Sequence, residues 1–426
     1  MTLRTPTQTP YLRYALFGSA LAFAGPPVYI HIPKLYTEYH GMGLATIGAA
    51  LLVLRSIDFI QDPALGYLIA KFRKHLKIIA FALGLLLSVG MLMLFSPTLP
   101  IGSQAWLFLS LICVFTGFSG LQILYYSTGV SLGKPSAENS QNGSSHTQIA
   151  SWREAGVLFG ICAACVTPTF LSSFMTDLSA YFIYSLFFVF FLIISLFFMN
   201  TIWAIEAKTS NNDLKYRNLI QDAVLSRLLI IGFVNTLPVG LTSTLFLFFV
   251  EDRLGASTQE AGVMLLLFFL CAAIAAPFWG MLAKSYGLKN ILLFGMALSI
   301  AAFSIAFALT PENYILFYGV CALSGFALGA DMTLLPAMLS QRLEKIGAGS
   351  AQTFGLWGFV NKATLALAAA IALPLLQLSG FEPSQNNSDA ALVTLSFMYA
   401  ALPCLLKVLA IFALILTKIN MEENKC

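Results

Sequence analysis

Residues 55–72 read RSIDFIQDPALGYLIAKF. Asp58 and Asp62 stand four positions apart in an otherwise apolar run, so on a helix both carboxylates share one face. Whether that face meets water or lipid decides the fold, and the composition answers. The chain has 426 residues, of which 58% are hydrophobic and 10% charged, against roughly 25% charged in soluble domains. Mean hydropathy is +0.82. Apolar runs of membrane-spanning length recur from end to end, which makes this a polytopic membrane protein.

Twelve runs are expected to span, at about 12–37, 46–70, 77–97, 104–131, 148–174, 180–203, 226–250, 260–283, 290–309, 314–338, 350–378 and 391–417. Backbone groups find no water in hydrocarbon, and runs of this length exceed barrel strands, so each is a helix. The N-terminal LRYALFGSALAFAGPP resembles a cleaved signal peptide in its basic start and AFA triplet. Its apolar run continues to Ile32, however, and is read as the first span. The longest polar connection, AIEAKTSNNDLKYRNLIQDAVL, covers 204–225 and divides the chain into an N-terminal six-helix bundle, 1–203, and a C-terminal one, 226–426.

Lysine and arginine set the expected orientation. Apart from Arg55, Arg153, Lys362 and Lys407, all fall on one side except Lys34 and Arg253, which places both termini and the central loop in the cytoplasm. GYLIAKFRKHLKII follows the second span and WGMLAKSYGLKNIL the eighth, each a glycine, a short apolar turn and a basic cluster. Such an echo between halves is the pattern of a parallel-repeat transporter.

Several motifs have structural readings. The seven cysteines, including the CAAC at 162–165, lie mostly inside spans and are read as packing residues. The N-G-S at 142–144 falls in a cytoplasmic linker rich in Ser, Asn and Gln. The net charge of +4 is dispersed over short loops, which gives no reason to expect a nucleic-acid partner. No Walker loop, H-E-x-x-H or G-x-S-x-G occurs, which argues against ATP-driven transport and membrane hydrolysis.

The intramembrane charges carry the functional reading. An ionised carboxylate at a helix centre costs about 2.5 to 3.5 kcal/mol on insertion scales, so two in one span require partners or a polar cavity. Arg55 lies one turn before Asp58 and can neutralise one of them. The remaining lone pairs suit a small cation, either Na+ or a proton shared between coupled carboxyls. Pro63 frees a backbone carbonyl nearby as a further oxygen ligand. Lys362 in LWGFVNKATLALAAA either pairs with Asp331 of GFALGADMTLLPAML or competes with the bound cation for the carboxylates. Arg153 lies at the start of the fifth span, and Trp357 is a candidate cavity aromatic. Lys407 is expected to snorkel or to pair locally, without a functional role.

VLRSIDFIQDPALGYL, SWREA and FGLWGFVNKATLALA, in spans two, five and eleven, resemble in register the segments that mark the glycoside-pentoside-hexuronide:cation symporters, the melibiose-permease-like branch of the major facilitator superfamily. The resemblance implies the major facilitator fold and secondary active symport of a sugar or related solute. It assigns the coupling Na+ or H+ to Asp58 and Asp62, and substrate contacts to Arg153, Lys362 and a stacking Tyr126. No cofactor beyond the ion is expected, and the partners are the substrate and the bilayer, a bacterial inner membrane, with the monomer as the working unit. Family members hold sugar hydroxyls with acidic residues in helices one and four, where this chain has Ala22 and Gln122. An amide offers one acceptor and two donors in place of a carboxylate. A uronate, another glycoside or a lysolipid therefore stays open as substrate. A carboxylated one suits a cavity in which Arg153 and Lys362 outnumber the acceptors. A non-transporting receptor or scaffold with the same fold and an embedded enzyme are the rivals from other classes.

Overall fold

A computed structural model describes residues 9–25, 32, 35–36, 39–42, 44–132, 144–209, 219, 221–346, 349–381 and 387–417. Within these, the side chains at 9, 44, 45, 48, 49, 51, 52, 54–56, 58, 59, 144, 145, 169, 177, 204–209 and 258 lie outside the description. The described chain is helical: α1 Thr9–Phe23, α2 Leu44–Lys71, α3 Leu76–Leu94, α4 Ser103–Leu132, α5 Ser144–Ser172 and α6 Asp177–Thr209. Then follow α7 Ala223–Arg253, α8 Thr258–Tyr286, α9 Leu288–Phe307, α10 Leu316–Ile346, α11 Ser350–Leu378 and α12 Asp389–Leu416.

Among the described residues ten helices are long and apolar enough to cross a membrane, and they match the expected third to twelfth spans. The second span is α2, whose 28 residues reach about 42 Å and carry four charged side chains. Of the first, α1 covers Thr9–Phe23, and most of the remainder to 37 lies outside the described residues. α10 runs eight residues beyond the expected end, because SQRLEKI continues as a polar helix after the apolar run stops.

Prolines sit inside α2, α5, α7, α8, α10 and α11 without ending them. Lipid offers the backbone no alternative partner, so a helix persists through a lost N–H where a soluble one would break. Large apolar side chains such as Phe159, Phe174, Ile274 and Leu405 are exposed, as a lipid-facing surface requires.

The chain groups into two compact units. One comprises Met1–Glu138, Trp152–Leu214 and Leu343–Phe359, the other Asn139–Ser151, Lys215–Arg342 and Val360–Cys426. In the first, Gly156 and Gly160 of α5 admit the backbone of α1 at Ala15 and Ser19, where any Cβ would collide. This small-xxx-small spacing lets membrane helices approach closely. The Tyr14 hydroxyl donates to the Tyr125 carbonyl and the Tyr125 hydroxyl to the Tyr14 carbonyl, both at 2.8 Å, which clasps α1 to α4. In the second unit Gly325 and Gly329 of α10 repeat the device against Phe268 and Ala272 of α8. Trp279 Nε1 of α8 donates to the Phe326 carbonyl at 2.7 Å. α7 and α12 each contain a π-helical turn, Phe249–Arg253 and Phe397–Ala401, and these meet through a Phe249–Tyr399 ring stack at 4.1 Å.

Candidate functional site

The buried charged side chains described in the spans lie at three places. On α2, Asp62 is 1% exposed, one turn after Asp58 in the sequence. The side chains of Arg55 and Asp58 lie outside the description, although the α2 backbone is helical through both. Asp62 faces two glycines of α11. A Cβ built on Gly358 would stand 2.5 Å from Asp62 Oδ2, and one on Gly355 2.8 Å from the Asp62 carbonyl oxygen. Their spacing of three residues puts both on one face of α11, so the glycines open the groove in which the carboxylate lies. Next to Asp62, Gln61 Oε1 accepts from Thr116 Oγ1 of α4 at 3.2 Å. Oxygen ligands are what a hard cation or a proton takes.

The second place is on α4 and α5. Arg153 and Glu154 are 2% and 0% exposed, and Arg153 Nε donates to Glu154 Oε1 at 2.7 Å. The Tyr126 hydroxyl donates to the same oxygen at 3.3 Å. The guanidinium carbon lies 4.0 Å from the centre of the Tyr126 ring, a cation–π contact that also desolvates the cation. Phe354 packs on Tyr126 with centroids 5.2 Å apart. Tyr126, expected to offer its ring to a sugar, thus carries the arginine on one face. Glu154 was passed over in the sequence although it stands inside SWREA, because adjacent residues on a helix do not face one another. Here the two long side chains curl together around Tyr126.

The third place lies within the second unit and corrects one expectation. Lys407 of α12 is 2% exposed and is paired, the second of the two fates expected for it. Its ammonium donates to Asn235 Oδ1 of α7 at 2.7 Å and to Asp331 Oδ2 of α10. Asp331 is therefore held by Lys407, where the sequence offered Lys362 as its partner. The reason is packing: α7 and α12 lie along one another, so the lysine reaches Asp331 without leaving the unit's interior. Asn235, an amide in an apolar run, was the available signal for this cluster. Lys362 is half-buried on α11, Gln122 half-buried on α4 and Trp357 buried on α11. Among the described residues no group of three or more His, Cys, Asp or Glu could hold a metal ion.

A family profile described as MFS/sugar transport protein matches residues 13–421. A curated relative, the uncharacterized symporter YjmB of Bacillus subtilis (strain 168), is 23% identical over 419 residues, covering 93% of this chain and 88% of its own. Among solved structures, a bacterial homologue of the iron transporter ferroportin in an outward-facing state aligns with a TM-score of 0.70 at 16% identity, over 94% of this chain and 99% of that one. The E. coli fucose:proton symporter FucP aligns with a TM-score of 0.61 at 14% identity, over 94% and 98%. At these identities the structures speak to the fold alone.

Proposed function

Since the chain belongs to the MFS/sugar transport protein family, we propose that it is a secondary active symporter that couples Na+ or H+ to the uptake of a sugar or related small organic solute. It is an integral membrane protein with multiple apolar helices. Transport proceeds by alternating access. Both termini and the 204–225 connection face the cytoplasm of a bacterial cell, and the monomer is the working unit.

The observation that carries the reading is Asp62: a carboxylate 1% exposed inside a span, with Asp58 one turn before it and two glycines keeping α11 clear of it. Asp58 and Asp62 hold the coupling ion through their oxygens, and Arg55 offsets the second negative charge when the ion leaves. Substrate lies beside the ion against Arg153, Tyr126, Gln122 and Trp357. Because each ligand shifts the equilibrium only through its differential affinity for the states, ion and substrate strengthen one another's binding by the same factor. Similarity to the uncharacterized symporter YjmB and to the fucose:proton symporter FucP supports the class.

The test is uptake into proteoliposomes under an imposed Na+ or H+ gradient, across a panel of neutral sugars and uronates. Asp62→Asn is expected to abolish gradient-driven accumulation while leaving the thermal midpoint within a few degrees of the parent. Accumulation by this variant at the parental level would rule the assignment out.

A further inference from the structure

The Arg153–Glu154 pair uses only part of its hydrogen-bonding capacity. Glu154 Oε1 receives both Arg153 Nε and the Tyr126 hydroxyl, whereas Glu154 Oε2 and Arg153 Nη2 are buried with no partner among the described residues. A guanidinium N–H and a carboxylate oxygen left bare in a closed site are among the costlier omissions a fold can carry. Each atom asks for the opposite group: Nη2 for an acceptor, Oε2 for a donor.

The charge balance narrows what can answer. One arginine and one glutamate in direct contact sum to zero, so the pair carries no net charge, and a ligand meets each charge only at its own end. A carboxylate ligand would satisfy Nη2 but would set a second negative charge beside Glu154 in a low-dielectric site. An ammonium ligand would repeat the fault beside Arg153. Two hydroxyls on neighbouring carbons satisfy both atoms without adding charge, one oxygen accepting from Nη2 while the other hydroxyl donates to Oε2. Ala22 and Gln122 supply no carboxylate for such a hydroxyl, and Glu154 does.

We propose that Arg153 and Glu154 form a charge-neutral two-point clamp for a pair of adjacent hydroxyls, so that the substrate is an uncharged polyhydroxylated solute and not a uronate or other anion. The proposal rests on the transporter reading and deepens it. It also reverses the expectation that Arg153 and Lys362 favour a carboxylated substrate, since Glu154 has already neutralised Arg153. In this conformation both side chains are covered, so the clamp is reached when the α4–α5 surface opens.

The experiment is equilibrium binding to the purified full chain in detergent without any gradient, followed by thermal shift and calorimetry. The probes are methyl β-D-glucopyranoside, D-xylose and myo-inositol as neutral polyols, and D-glucuronate as the anion. The parent is expected to bind at least one neutral probe roughly tenfold or more tightly than glucuronate. Glu154→Gln should weaken that probe by roughly ten- to a hundred-fold, the span of one charged hydrogen bond, and should strengthen glucuronate because the Arg153 charge is released. A parent that prefers glucuronate, a parent that binds no neutral probe, or a Glu154→Gln variant that weakens both classes equally overturns the proposal. Glu154→Asp keeps the charge and retracts the oxygen by one methylene, which covers the case of an unstable Gln variant. It should lose the neutral probe with glucuronate unchanged, and an undiminished neutral affinity counts against the clamp. Intact selectivity with no gradient-driven uptake would instead fault the coupling reading, so the two failures are separable.

Discussion

Removing the ammonium of Lys407 tests the buried triad of the second unit directly. Lys407, Asp331 and Asn235 are 2%, 8% and 1% exposed, and one nitrogen joins all three. Lys407→Met preserves length and apolar stem while deleting both donations. Asp331, whose Oδ1 already lacks a partner among the described residues, is then a bare carboxylate in a membrane interior. Breaking a buried pair on one side costs about 3 to 5 kcal/mol. For a unit of this size that lowers the thermal midpoint by roughly 6 to 20 °C. Asp331→Asn should also destabilise, by leaving the cation uncompensated. The double variant Lys407→Met/Asp331→Asn removes both charges and should recover to within about 2 kcal/mol of the parent. The assay is thermal unfolding in detergent across the four-member cycle, which isolates the pairwise term. Additive losses in the double variant, or a Lys407→Met midpoint equal to the parent's, would refute the reasoning.

Two further outcomes follow from single contacts. Gly358→Ala sets a Cβ 2.5 Å from Asp62 Oδ2, and moving a packed group aside costs about 1 to 3 kcal/mol. Gradient-driven uptake should fall roughly tenfold or more, whereas Gly262→Ala, with nothing within 4 Å of its Cβ, should transport as the parent does; equal uptake by both variants would remove Gly358 from the ion site. Asp222 caps α7 by accepting from the Leu225 N–H at 2.7 Å and binds Arg342 through two hydrogen bonds of 3.1 and 2.5 Å. The Arg342 hydrogen bond, ahead of the Leu225 N–H, holds its carboxyl below the usual carboxylate value. A group depressed in the folded state stabilises fully above its unfolded value of about 4 and loses that contribution as pH falls through the folded one. Asp222→Asn should therefore flatten the acid limb of a melting-temperature-against-pH curve. An acid limb parallel to the parent's would show that the pair does not titrate with folding.

Much of the molecule is legible in one dimension because lipid imposes a local rule. Each apolar run of spanning length must satisfy its own backbone, so ten expected spans reappear as helices among the described residues without any knowledge of their neighbours. Arg153, Asp62 and Asp331 could be singled out for the same reason: a charge in hydrocarbon is expensive wherever it sits. Partnership is another matter. The side chain that neutralises Arg153 is its own sequence neighbour, Glu154, although adjacent helical residues diverge by about 100°. Tyr126 of α4 meets both, its hydroxyl on Glu154 and its ring on Arg153. Asp331 and Lys407 are 76 residues apart, and nothing in their local patterns distinguishes Lys407 from Lys362 as the partner.

The order of amino acids thus determined that this chain crosses a membrane, where the helices run, and which residues carry a charge there. The tertiary structure decided which charges cancel and which keep capacity to spare. The difference is physical: hydropathy and backbone satisfaction act within a single helix, whereas a buried charge is settled by whichever side chain the packing of neighbouring helices brings within hydrogen-bonding distance.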